Sequence, residues 1–242
     1  MSLLAVHGLS KWFGGLPALN NVSFEVNEGE ILGIIGANGA GKTTLFSLIA
    51  GNEQPSAGEI RFQGQPITRL RPDQRCRAGI ARTFQIVRPL SALSVVENVM
   101  VPVFFGAKPE RNHDAARARA VEILREVGLE RRQQELAGSL TLSDQKRLET
   151  ARALGSEPSL IMLDEVMAGL TATEVDELLE SIRAIKERRL LTILLVEHVM
   201  QAVMRLAERV IVLHHGEVIA QGKPEAITKD PRVIEIYLGA EV

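Results

Sequence analysis

Residues 36–43 read Gly-Ala-Asn-Gly-Ala-Gly-Lys-Thr, an instance of the pattern G-x-x-x-x-G-K-[ST]. Gly36, Gly39 and Gly41 let a loop wrap an anion closely, and Ala37, Asn38 and Ala40 add their backbone N–H groups to the same cradle. Lys42 has the charge and reach for the β- and γ-phosphates of a nucleoside triphosphate, and Thr43 offers a hydroxyl to its magnesium ion. Thr44 is counted with the same nucleotide-binding set. The bland alternative is a glycine-rich turn, which the strand-to-helix setting of the pattern disfavours. A second segment, residues 160–165, places Asp164 and Glu165 directly after four apolar residues. That is the C-terminal end of a buried strand, where ligands of open α/β sheets gather. Asp164 is expected to serve magnesium, and Glu165 to orient and polarise the water that attacks the γ-phosphate. An acid pair stabilised by a helix N-terminus is the alternative. His198 follows a third apolar run and can donate to the γ-phosphate from a similar position. Alone it would read as a structural or solvated histidine.

These groups meet only if particular elements carry them. Residues 30–35 are apolar nearly throughout, as a strand covered on both faces should be, and residues 43–50 read as a helix stopped by Gly51. Short strands are expected at 3–7 and 22–26, with turns at Gly14-Gly15 and 27–29. Ile60 and Phe62 alternate with polar neighbours and suggest an exposed edge strand, whereas residues 113–127 have helical spacing, making the middle third mainly helical. Later, Val175, Leu178, Leu179, Ile182 and Ile185 form one helical face between strands at 160–163 and 191–196. Alternating strand and helix implies an α/β fold with a mostly parallel sheet. Residues 209–214 and 218–220 flank a hairpin turn, and 231–239 read as a final helix.

The composition sets broad limits. With 242 residues, 45% apolar and 24% charged, the chain suits one α/β domain with a sizeable core. A formal charge of −2 gives no global pull toward nucleic acid or anionic lipid. Cys76 is the single cysteine, which excludes an internal disulfide and fits a reducing compartment. The apolar run 190–196 is far shorter than the roughly 20 residues that span a bilayer, and residues 1–10 lack the form of a signal peptide, so a cytoplasmic protein is expected. Arg69, Arg71, Arg75, Arg77, Arg82 and Arg88 read as a solvated basic face, and His214-His215 lack an obvious set of metal-ligand companions.

In order and spacing, these segments resemble the ATP-binding subunits of ABC transporters, over residues 4–239. The resemblance implies a P-loop NTPase core with an N-terminal antiparallel β subdomain and a helical subdomain. The chain would be one ATP-binding domain, with 1–84 and 158–242 as core plus β subdomain and about 85–157 as the helical part. It also implies that Gln85 contacts magnesium and the attacking water and couples the site to membrane subunits. Phe13 would stack on adenine, although Trp12 can take that place or Phe13 can belong to the core. Residues 168–171 would cross a dimer interface. Residues 79–85, 168–170 and 233–239 look most like the branched-chain amino acid importers. Related subgroups handle urea, aromatic acids or lipopolysaccharide.

One departure stands out: where that family reads Leu-Ser-Gly-Gly-Gln, residues 140–144 are Leu-Thr-Leu-Ser-Asp. The family uses this helix start to contact the γ-phosphate held by the opposite subunit, so Thr141 and Ser143 are the nucleotide-binding candidates here. Leu142 and Ser143 replace glycines where backbone approaches phosphate, and Asp144 adds negative charge near an anion. The implied assembly has two membrane permease subunits and a second ATP-binding subunit, a heterodimer with unequal sites being expected over a homodimer. An extracytoplasmic substrate-binding protein acts indirectly, and the subunit sits on the inner face of the membrane. The rival reading, an ABC ATPase acting on nucleic acid or ribosomes, lacks the tandem domains or coiled-coil insertion such proteins carry. A regulatory subunit without turnover is the other rival, against which Glu165 and His198 count.

Overall fold

The computed structural model describes residues 2–84, 87–197 and 200–238. They form two compact units, residues 1–72 with 192–242, and residues 73–191.

The first unit opens with two long strands, β1 (Ser2–Phe13) and β2 (Leu16–Asn27), joined by a turn at Gly14-Gly15. In β2 the buried Leu19, Val22, Phe24 and Val26 are separated by exposed polar residues, the alternation of a sheet with one wet face. The strands extend well beyond the short segments expected. Polar residues such as Asn20 sit on the wet face, where they do not interrupt pairing. With β4 (Ala57–Phe62) and the two-residue β5 (Gln65–Pro66), they make a four-stranded antiparallel sheet in the order β2-β1-β4-β5. Strand β4 is therefore not an edge as its alternation suggested: it lies between β1 and β5, and Ile60 and Phe62 are buried.

The same unit holds β3 (Ile31–Ile35), flanked on both sides by parallel neighbours, β8 (Thr192–Val196) and β9 (Arg209–His214). All five residues of β3 and all five of β8 are buried, which is why both read as unbroken apolar runs. Strand β10 (Glu217–Gly222) returns antiparallel on β9. Helix α1 (Lys42–Ala50) buries Leu45, Phe46, Leu48 and Ile49, and stops at Gly51 with φ 84°. Three further helices, α7 (Met200–Leu206), α8 (Pro224–Ile227) and α9 (Pro231–Leu238), complete this unit.

The second unit is mainly helical. Helix α2 (Pro72–Ala78) leads into β6 (Ile80–Arg82), which pairs parallel with β7 (Leu160–Asp164). Helix α3 (Val95–Phe105) carries a run of valines that favour strands, but a reciprocal Ser94 and Glu97 capping box starts it as a helix. Helices α4 (His113–Glu126) and α5 (Leu142–Gly155) pack with it, and α6 (Ala172–Arg189) starts at a second capping box, Thr171 with Glu174. Arg189 joins Glu126 at 2.8 Å and Glu157 at 3.2 Å, tying the ends of α4, α5 and α6 together.

The basic stretch is not a uniform solvated face. Arg69, Arg71, Arg77 and Arg88 are exposed, but Arg75 is 1% exposed and burial pushes its guanidinium down to about 10. Arg82 is turned inward to a carboxylate. Spacing along the chain cannot show this, because a short helix and a strand interrupt the run.

A buried ion pair links three elements of the first unit. The Glu30 carboxylate accepts from Asn27 N–H at 2.8 Å, from Arg209 Nε at 2.7 Å and from Arg209 Nη2 at 3.0 Å. Burial pushes this carboxyl up, but hydrogen bonds from Arg209 and Asn27 and the Arg209 charge outweigh it, leaving it below the ordinary value. A depressed folded value adds stability above the unfolded carboxylate range, near about pH 4.3, and that stability is lost as pH falls through the folded value. Glu30→Gln should therefore lower the urea midpoint at pH 7, and the gap from wild type should narrow steadily between about pH 5 and pH 3. A gap that stays constant across that range would show that Glu30 does not carry the linkage.

Candidate functional site

In the first unit, β3 ends at Ile35 and the chain turns through residues 36–41 into α1. Gly41 is the N-cap of α1, with φ 103°, a left-handed conformation open to glycine. No side chain caps this helix, and its first turn contains no acid. The positive end of α1 is thus presented without a protein anion of its own, the arrangement that suits phosphate. Close walls reinforce the need for glycine. A Cβ at Gly36 would lie 2.4 Å from the carbonyl oxygen of Leu213, and one at Gly41 would lie 2.6 Å from that of Ala18. Lys42 is 5% exposed, and its ammonium donates to the carbonyls of Gly36 at 2.6 Å and Ala37 at 3.1 Å. The lysine is held across the loop it serves. Ala37, Asn38, Gly39 and Thr43 face solvent, Ala40 is buried, and Thr44 is half-buried.

In the second unit, β7 delivers Asp164 and Glu165. Asp164 is 3% exposed, and its Oδ2 accepts from Arg82 Nη2 at 2.7 Å. The Asp164 N–H donates to the Thr83 hydroxyl at 3.0 Å, while the Thr83 N–H donates to the Met162 carbonyl at 2.9 Å, continuing the pairing of β6 with β7. Glu165 is buried and has φ 49°, left-handed without being glycine. Such a conformation costs on the order of 1–3 kcal/mol and persists where its surroundings determine it. Lys146 of α5 is one of the groups that hold this turn. Its buried ammonium donates to the carbonyl of Glu165 at 3.2 Å and to that of Ala168 at 2.5 Å, closing the turn.

Two expected residues, Gln85 and His198, lie outside the described residues. The flanks of Gln85 are described: the Phe84 N–H donates to Glu149, and Arg152 Nη1 donates to the Arg88 carbonyl at 3.0 Å. Burial pushes the Glu149 carboxyl up, against the opposing pull of Arg152 and the Phe84 N–H. Phe13 ends β1 with its ring 49% exposed and the Lys11 ammonium 4.9 Å from its centroid, which excludes the core alternative. Trp12 is also exposed. Thr141 is the N-cap of α5, accepting from the Asp144 N–H at 3.3 Å, and Ser143 is half-buried and bonded to Glu174. The negative charge expected of Asp144 is met within the unit, since its carboxylate pairs with Arg132 and accepts from the Thr141 hydroxyl at 3.0 Å.

The sequence reading missed Arg82, Thr83 and Lys146. Lys146 stands in the polar run Asp144-Gln145-Lys146-Arg147, where nothing marks one member as buried. Its position on α5, four residues beyond Leu142 and three before Glu149, was the only available signal.

Comparison with known proteins decides the family. The profile described as ABC transporter matches residues 19–168. The chain belongs to the ABC transporter family. Residues 217–242 also match the family described as branched-chain amino acid ATP-binding cassette transporter. Among curated proteins, the high-affinity branched-chain amino acid transport ATP-binding protein LivG of Salmonella typhimurium is 41% identical, over 98% of each chain. The protein with the same description called BraF, from Pseudomonas aeruginosa, is 38% identical, again over 98% of each. Among solved structures, the ADP conformation of MJ1267, an ATP-binding cassette of an ABC transporter, superposes with a TM-score of 0.88 at 30% identity, covering 99% of each chain. This ABC transporter chain is accordingly an ATP-binding ATPase subunit. No described helix is long and apolar enough to cross a membrane.

The Lys146 contacts generate a test. Lys146→Met should lower the rate of phosphate release about 10- to 100-fold while leaving the KM for ATP within about threefold, because it releases the turn at Glu165 without touching the phosphate loop. Lys146→Arg should restore part of the rate. Equal losses in both variants, with KM rising in parallel, would remove Lys146 from this role.

Proposed function

We propose that this subunit powers the import of branched-chain amino acids through partner permeases by binding and hydrolysing ATP. The observation that carries the cargo assignment is the likeness to LivG and BraF along the whole chain, together with the match of residues 217–242 to the branched-chain family.

Residues 36–44 hold the triphosphate by their backbone amides, with the positive end of α1 behind them. Lys42 exchanges its bonds to the loop carbonyls for the β- and γ-phosphates, and Phe13 stacks on adenine. Thr43, Asp164 and Gln85 would hold magnesium, which would neutralise charge developing on the phosphate oxygens. A hydroxyl, a carboxylate and a carboxamide are oxygen donors of the kind that suits that hard cation. Glu165 orients the attacking water and accepts its proton, and His198 donates to the γ-phosphate. Arg82 pairs with the Asp164 carboxylate, the charge that a bound cation would also meet.

Thr141 and Ser143 face the nucleotide of a second ATP-binding subunit. The hydroxyl of Thr141 is engaged in capping α5, and Leu142 stands 48% exposed beside it where the family has glycine-sized space. This supports a heterodimer in which the partner supplies the glycine-rich start. Two permease subunits complete the assembly and place the chain at the inner face of the membrane, with an extracytoplasmic binding protein selecting the cargo. In the helical unit Val101, Phe105 and Leu136 are exposed, which supports a protein partner there.

Glu165→Gln should retain ATP binding and lose about 10²- to 10⁴-fold in turnover; rapid steady-state hydrolysis by that variant would take the base role from Glu165. For the cargo, the chain should be co-purified with its permeases, and the ATPase rate followed as loaded binding protein is added. Leucine, isoleucine or valine should stimulate it. Stimulation by urea or an aromatic acid in their place would reassign the cargo.

A further inference from the structure

We propose that the turn His215-Gly216, between β9 and β10, is a positioning element for the phosphate loop, with Gly216 setting the loop's place. The proposal rests on the reading that residues 36–43 bind ATP, and is independent of cargo.

Topology brings the two together. Strand β9 runs parallel beside β3 with Ile35 opposite Val212. Where β3 gives way to the loop at Gly36, β9 has therefore reached Leu213, whose carbonyl is the wall against Gly36. Two residues farther the chain turns back, His214 pairing with Glu217. At that turn the Gly216 N–H donates to the carbonyl of Ala40 at 3.0 Å, and the Gly216 carbonyl accepts from the Asn20 N–H at 2.9 Å. Ala40 immediately precedes the N-cap of α1. The turn is thus hydrogen-bonded on one side to the phosphate loop and on the other to β2. The same stretch of β2, at Ala18 and Leu19, forms the wall against Gly41.

Gly216 is buried and has φ 80°, and His215 before it has φ 46°, a two-residue turn with both residues left-handed. A Cβ at Gly216 would lie 2.8 Å from the carbonyl oxygen of Ala18 and 3.0 Å from the Cα of Leu19. Both are backbone atoms that cannot swing aside as a side-chain tip would. Relief requires the turn to move away from β2, and that movement acts on the bond to Ala40 and so on the amides that open α1. The chain contains its own control. Gln63 and Gly64, between β4 and β5, form the same kind of turn with φ 50° and 75°, and a Cβ at Gly64 meets nothing within 4 Å among the described residues.

The experiment compares wild type, Gly216→Ala and Gly64→Ala as purified full chains, titrated with trinitrophenyl-ATP and magnesium, with melting temperature measured in parallel. Both variants strain a left-handed residue and should melt lower. Gly64→Ala should bind with the wild-type Kd, whereas Gly216→Ala should bind about tenfold more weakly with an unchanged number of sites, the scale of a lost or distorted hydrogen bond. Partial unfolding alone would reduce the number of sites and leave Kd where it was. A Kd for Gly216→Ala within twofold of that for Gly64→Ala overturns the proposal. A wild-type chain that binds no nucleotide would refute the reading beneath it, which separates the two failures. Should Gly216→Ala not fold, hydrogen exchange on wild type decides the matter. Residues 213–217 should gain protection with residues 36–43 when the nucleotide is added, and protection of the loop with no change at the turn overturns the proposal.

Discussion

Close contact between phosphate and backbone amides requires a loop with almost no side chains, and a loop with almost no side chains has little of its own to hold it in shape. This is the constraint on which the first unit depends. Residues 36–41 bring only Asn38 with a polar side chain, so their shape comes from what surrounds them: the strand that feeds them, the helix that receives them, and the backbone of β2 and β9 pressed against Gly41 and Gly36. A wall made of backbone has an advantage over one made of side chains, because it has no rotamers with which to yield.

The second unit answers a different demand. The two carboxylates at the end of β7 are buried, and burial of a charge requires compensation. Asp164 has Arg82 as a direct partner, while the turn at Glu165 is fastened through its backbone carbonyl by Lys146. The two devices differ in kind. One sets charge beside charge, and the other acts on the backbone. Neighbouring residues are thus held in different ways.

Legibility in the sequence follows the range of the interactions. The strand, loop and helix around residues 31–50 could be read directly, because their glycines, their lysine and their continuous burial are local properties. The same holds for Asp164 and Glu165 at the end of an apolar run. The hidden features were those made by distant segments. Ile60 and Phe62 alternate as an edge strand would, yet β5 pairs outside them; Arg75 and Arg82 belong to a basic run whose turns send each elsewhere; Asp144 meets Arg132 only after two short 3₁₀ turns bring it near. Lys146 is the sharpest case. A lysine in a polar run at a helix start gives no local sign that it will be 5% exposed and bound to carbonyls nineteen and more residues away.

The placement of that lysine has a mechanical consequence. Thr141, which starts α5, and Lys146, which grips the turn carrying Glu165, lie on one stretch of helix little more than a turn long. A helix passes an axial push along its length with little give. Whatever seats against the start of α5 therefore has a lever on the turn at Glu165, and a chain with nothing seated there keeps that lever slack.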